Sequence, residues 1–146
     1  MNIYGLIMAG GGGTRFWPLS RKDIPKQFLN ISGNDVMINE TILRIDQNIQ
    51  HEDTYIVTNA NQKDALESVL CSDIKRENIF YEPLGKNTAA CICYAAISLY
   101  KKSGDGVICI FPSDHFIQNT EVFIAKTNAA EKIRAGEARI AVGNLF

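Results

Sequence analysis

Much of what would classify a chain at a glance is missing from this one. It opens MNIYGLIMAGGGG, with no basic leader and only a short apolar run before glycines intervene, which does not read as a secretory signal. The longest strongly apolar stretch, Ala89 to Tyr100, falls far short of the roughly 20 residues that span a bilayer, so no membrane role is expected. An excess of either charge is also lacking. The net charge of −1 gives no global attraction to nucleic acid or anionic membrane, so neither is expected as a partner, and anion binding would need a local patch. Cysteine is sparse and lacks zinc-like spacing: Cys71, Cys91, Cys93 and Cys109. Cys91 and Cys93 stand two apart in an apparent helix and so point to different sides. All four read as buried, reduced thiols, which suits a cytoplasmic protein. No internal repeat, low-complexity tract or linker divides the chain.

What is present describes a folded α/β domain. Of 146 residues, 46% are hydrophobic and 21% charged, ordinary values for a globular protein. Ile3–Ala9, Thr54–Thr58, Asn78–Tyr81 and Val107–Phe111 are short apolar or β-branched runs that read as strands, and Arg139–Val142 begins another. Between them, Met37–Ile49, Asn61–Leu70, Thr88–Lys102 and Glu121–Ala135 carry helical spacing, with Gly136 as a helix stop. The third of these is apolar on nearly every side and is expected to be buried. Alternating strands and helices imply right-handed βαβ units and a mainly parallel sheet covered on both faces. Ligands of such sheets sit at the carboxyl ends of the strands, near a switch in strand order. Three loops qualify: the glycines after the first strand, Glu82–Thr88 after the third, and Pro112–His115 after the fourth. The apolar ending IAVGNLF suggests a domain that continues beyond the last residue given.

The unusual residues gather in those loops. Gly10-Gly11-Gly12-Gly13-Thr14-Arg15 follows the first strand, and glycines let a backbone approach a ligand closely, with successive N–H groups forming a nest for phosphate oxygens. It is not a Walker A loop, because no Lys-Ser or Lys-Thr follows the glycines. Nor is it a dinucleotide fingerprint, since GxGxxG counted from Gly10 ends on Arg15. Arg15, Arg21, Lys22 and Lys26 lie within twelve positions, opposed only by Asp23, and Trp17, Pro18, Pro25 and Phe28 interleave them. That makes a local positive patch suited to phosphate. Phe111-Pro112-Ser113-Asp114-His115 brings a carboxylate out of an apolar strand, where it needs a partner. Asp114 at the sheet mouth suits Mg²⁺, which takes one or two carboxylates plus substrate phosphates, although it could instead cap the next helix. His115 could touch a ligand or be structural. In Glu82-Pro83-Leu84-Gly85-Lys86-Asn87-Thr88, the Glu82 carboxylate could accept from the N1–H and amino group of guanine, an edge that uracil and thymine lack. Asn87 or Thr88 could cap the following helix.

Three stretches together, AGGGGTRFWPLSRKDIPKQFL, EPLGKNTAA and FPSDHFI, resemble the bacterial mannose-1-phosphate guanylyltransferase (GDP-mannose pyrophosphorylase) family. The G-x-G-T-R and P-K-Q core is shared by sugar nucleotidyltransferases generally, whereas W-P-L-S-R, E-P-L-G-K-N-T-A and P-S-D-H are more particular to the mannose-1-phosphate branch. The resemblance covers nearly the whole chain. It implies a Rossmann-like, three-layer nucleotidyltransferase fold, truncated at its carboxyl end, with residues 1–146 as the amino-terminal nucleotide-binding portion. It also implies formation of GDP-mannose and pyrophosphate from GTP and α-mannose 1-phosphate with Mg²⁺. Carried over by motif, Gly10, Gly11, Gly12, Gly13 and Thr14 would cradle the nucleotide. Arg15 would stabilise departing pyrophosphate, Lys26 would neutralise phosphate charge, and Asp114 would hold Mg²⁺. Glu82, Gly85 and Asn87 would border the guanine. Gly12 stands where the family usually has Ser, and Phe16 where it has Leu. The family's G-Y-G-Y region, E-K-P segment and second metal-binding Asp are not in this sequence, so the chain alone is expected to be inactive. Another hexose 1-phosphate and nucleotide pair, or a non-catalytic nucleotide-binding fragment, are the competing readings. A carboxyl-terminal isomerase domain and homo-oligomerisation of a longer protein stay open.

Overall fold

The computed structural model describes residues 2–11, 25–31, 33–71, 73–115, 117 and 121–123. The expectations for Gly12, Gly13, Thr14, Arg15, Arg21 and Lys22 lie outside these, as do those for Gly136, the Arg139–Val142 strand and most of the Glu121–Ala135 helix.

Four strands carry the described part of the fold: β1 (Asn2–Met8), β2 (Thr54–Asn59), β3 (Ile79–Glu82) and β4 (Gly106–Pro112). All pair in parallel in the order β3-β2-β1-β4, with Leu6 aligned to Tyr55 on one side and to Ile110 on the other. Parallel neighbours need crossovers, and three helices supply them: α1 (Met37–Ile45), α2 (Lys63–Val69) and α3 (Asn87–Ser103). The pleat sends alternate side chains to opposite faces, producing two cores. Ile7, Ile56, Ile79 and Phe111 pack with Ile38, Ile42 and Ile45 of α1 and Leu66 of α2. Tyr4, Leu6, Tyr55 and Val57 pack on the other face with Cys91, Ala95 and Leu99 of α3. The expected three-layer α/β architecture is therefore present.

Two expectations need correction. Helix α3 is not buried all round: only Cys91, Ala95 and Leu99 are, while Ile97 and Tyr100 are more than half exposed. Its apolar run is long but rich in Ala, and only the residues spaced four apart meet the sheet. The second concerns the thiols, of which Cys91 is buried and Cys93 exposed, because two helical positions differ by about 200°. Helix α1 also stops at Ile45 rather than Ile49, although Ile49 stays buried after the turn.

Far from the strand carboxyl ends, α3 is tied down by aromatic contacts. Tyr4 and Tyr55 meet edge to face at 5.9 Å, and Tyr55 stacks on Phe80 at 5.6 Å. The Tyr4 hydroxyl donates to the Ser103 carbonyl at 3.0 Å. The Tyr4 ring lies over Gly106, where an added Cβ would sit 2.5 Å from Tyr4 Cε2 and 2.8 Å from the Asn2 carbonyl oxygen. Overpacking of this kind costs about 1–3 kcal/mol. Gly106→Ala is accordingly expected to lower the urea midpoint without altering the slope of the transition.

Candidate functional site

β1 and β4 lie side by side although the chain reaches β4 last of the four described strands. The strand order therefore reverses between them, which is where ligands of open parallel sheets bind. A cavity of about 1040 Å³ opens there. It is bordered by Gly10 and Gly11 after β1, Lys26, Glu82 at the end of β3, the Gly85–Thr88 approach to α3, and Pro112–Asp114 after β4. The three loops singled out from the sequence thus share one cavity.

Each polar group is placed by local structure. Ser113 donates to the Met8 carbonyl from both its amide, at 3.1 Å, and its hydroxyl, at 2.8 Å, docking the Pro-Ser-Asp loop on the end of β1. A 3-10 turn, Lys26–Phe28, follows Pro25 at φ −60°, a value proline enforces. Phe28 anchors the turn in the core. Lys26 and Asp114 then meet, Nζ to Oδ2 at 3.3 Å, and His115 Nε2 lies 3.9 Å from the other Asp114 oxygen. Asp114 is half exposed and Lys26 much less so, so this pair is worth little as stability. Its interest is that cation and carboxylate border the same space. Among the described residues no group of three or more His, Cys, Asp or Glu could hold a metal. One half-exposed carboxylate nevertheless fits Mg²⁺, which completes its shell with water and phosphate oxygens.

Glu82 is 5% exposed and sits against both Gly10 and Cys91. An added Cβ on Gly10 would lie 3.3 Å from Glu82 Oε2, so the glycine is what allows the first and third loops to close on each other. Burial, together with the Glu82 carboxylate that the thiol bonds to, pushes the Cys91 thiol up to about 12. Burial alone raises Cys109 to about 11. Asn87 has φ +67°, in the left-handed region that Asn tolerates better than most residues. Neither Asn87 nor Thr88 caps α3: the cap position is Lys86, and among the described residues no side chain caps the first turn. The cap expectation is thereby corrected. The first N–H groups of this 17-residue helix are left at the cavity wall without side-chain partners, where a helix favours anions.

The sequence reading overlooked the loop after β2. Asn59, Asn61 and Gln62 border the same cavity, as does Gln27. Gln27 Nε2 donates to the carbonyls of Ala9 and of Gly11, the latter at 3.2 Å. Thr58 Oγ1 lies 3.1 Å from the Ala9 carbonyl and 3.0 Å from Gln62 Oε1, and Gln62 Nε2 reaches the Gly11 carbonyl at 3.4 Å. The available signal was a polar run, Thr58–Gln62, at the carboxyl end of a buried strand.

Residues 4–143 match the nucleotidyl transferase family. The alginate biosynthesis protein AlgA of Pseudomonas aeruginosa is 34% identical over 131 residues, covering 87% of this chain and 27% of that protein. The mannose-1-phosphate guanylyltransferase of Escherichia coli is 36% identical over 127 residues, again 87% of this chain and 27% of that protein. A crystal structure of a mannose-1-phosphate geranyltransferase from Thermus thermophilus shares the fold with a TM-score of 0.79 at 29% identity, covering 94% of this chain and 39% of its own. The chain thus spans 27% of the length of these curated relatives.

With Cys93 exposed, Cys91 buried, and Cys71 and Cys109 partly buried with raised thiols, iodoacetamide at mildly alkaline pH is expected to modify Cys93 first and to spare Cys91 until denaturant is added. Peptide mass mapping reads this directly. The Cys91 and Cys109 thiols bind their protons more tightly folded than unfolded. Their stabilisation is therefore complete below the ordinary value of 9.0 and is lost as pH rises through about 11 and about 12.

Proposed function

The chain belongs to the nucleotidyl transferase family, and on that premise we propose that it binds GTP for transfer of a guanylyl group to α-mannose 1-phosphate, giving GDP-mannose and pyrophosphate. The observation that carries the reading is the convergence of Gly10, Gly11, Lys26, Glu82 and Asp114 on one cavity at the strand-order reversal. The guanylyl names come from relatives such as the Escherichia coli enzyme.

In this reading a sugar-phosphate oxygen forms a bond to the α-phosphorus of GTP. The bond from that phosphorus to the bridging oxygen breaks in line, and pyrophosphate leaves with the electron pair. No covalent catalyst is needed, only positioning and charge neutralisation. Gly10 and Gly11 would border the polyphosphate, and Lys26 would neutralise charge at the reacting centre once it exchanges Asp114 for phosphate. Asp114 would then be available to hold Mg²⁺, whose chemistry is to draw charge from the phosphate oxygens. Glu82 would accept from the N1–H and amino group of guanine, with Gly85 and Asn87 beside it. The roles expected of Arg15, Gly12, Gly13 and Thr14 belong to the same proposal. A cytoplasmic setting does too; no described helix is long and apolar enough to cross a membrane.

The test is calorimetric titration of the chain with GTP, UTP, dTTP and ATP in the presence of Mg²⁺. GTP is expected to bind most tightly, and Glu82→Gln to weaken GTP roughly tenfold or more while leaving ATP unchanged. Equal binding of all four nucleotides would remove the guanine assignment, and no binding at all would remove the nucleotide reading. Asp114→Asn is expected to abolish the Mg²⁺ dependence of GTP binding while retaining a weaker metal-free component.

A further inference from the structure

We infer that Thr58 is a positioning residue for the phosphate-binding loop, acting through Gln62 on a backbone it shares no peptide bond with; the inference rests on the nucleotide-binding reading above. Thr58 is fully buried, and Gln62 is 9% exposed. At a slot closed to solvent, valine would fill the same volume without a hydroxyl to satisfy. The hydroxyl instead lies between the Ala9 carbonyl and Gln62 Oε1.

That contact fixes which way the Gln62 amide faces. Carbonyl oxygens accept and never donate, so the Gln62 nitrogen must be the atom near the Gly11 carbonyl. The oxygen is then left to accept from Thr58. Gln27 completes the clamp from the other side, its two N–H bonds serving the Ala9 and Gly11 carbonyls.

Packing does not hold the far end of this stretch. An added Cβ on Gly11 would meet nothing within 4 Å, and glycine has the widest conformational freedom. The hydrogen bonds to its carbonyls are what orient it. A trans peptide sets C=O and N–H on opposite sides, so holding the Ala9 oxygen against Gln27 turns the Gly10 N–H away from it. An unclamped loop would rotate carbonyl lone pairs toward the polyphosphate and repel it.

Thr58→Val keeps the methyl group and removes the hydroxyl, whereas Thr58→Ser keeps the hydroxyl and leaves a small void. Calorimetric titration with Mg²⁺ and GTP is expected to show roughly tenfold weaker binding for the Val variant and a change within about twofold for the Ser variant. Titration with guanosine, which has no phosphates, is expected to be unaffected in both. Without ligand, amide exchange at Gly10 and Gly11 is expected to accelerate in the Val variant and not in the Ser variant. Should Thr58→Val fail to fold, Gln62→Leu is read the same way. Unchanged GTP affinity in the Val variant overturns the inference, as does equal weakening in both variants or guanosine losing as much as GTP. If wild-type chain binds no nucleotide, the functional reading falls and this inference with it, whatever the exchange rates show.

Discussion

Where β1 stops being a strand, its backbone loses the neighbours that satisfied its carbonyls, and everything at the site depends on how that loss is made good. A buried carbonyl without a donor is costly. The fold answers with side chains drawn from three other places: Gln27 from the 3-10 turn, Gln62 from beyond β2, oriented by Thr58 within that strand, and Ser113 from beyond β4. Each donor also brings its own loop to the end of β1. Satisfying the backbone and assembling the cavity are therefore one event, and the residues that line the cavity arrive as neighbours of those that bond it.

That arrangement gives a nearly neutral chain a local concentration of positive character. The positive character is local: Lys26, the uncapped start of α3 and the glycine amides meet at one edge of the sheet, opposed by Asp114 and Glu82. The Lys26–Asp114 pair at 3.3 Å keeps a cation and an anion close without committing either. Glu82 is held more firmly, wedged between Gly10 and Cys91, so its carboxylate is presented to the cavity at a set position.

Much of the fold could be read from the sequence, because parallel strands buried on both faces appear as apolar runs and the helices between them carry a different period. Strand boundaries fall within one or two residues of those expected. Helix α3 misled because composition outweighed spacing; Cys91, Ala95 and Leu99, four apart, already traced the buried stripe within an Ala-rich run. For the site, Gly10, Gly11, Lys26, Glu82 and Asp114 announced themselves by charge or by conformational freedom, and they share the cavity. Thr58, Gln62 and Gln27 did not, since a threonine in a strand looks like a sheet residue and glutamines outside one look like caps or solvated surface. What distinguishes them is burial against carbonyls distant in sequence, such as Thr58 against Ala9, a partner that only the sheet register supplies.

The pairing of Leu6 with Ile110 has a consequence for the order in which the molecule acquires its parts. β1, β2 and β3 can meet as soon as each crossover is complete, but β4 must return across about a hundred residues to reach the far side of β1. Closure of that loop carries an entropic cost, and contacts so remote in sequence slow folding. A chain emerging from the ribosome has its glycine loop from the outset and Lys26 soon after. The cavity, though, has one wall missing until Ser113 docks on Met8. Among the four described strands the cavity thus closes with the pairing most remote in sequence, and any ligand captured there would reward that step.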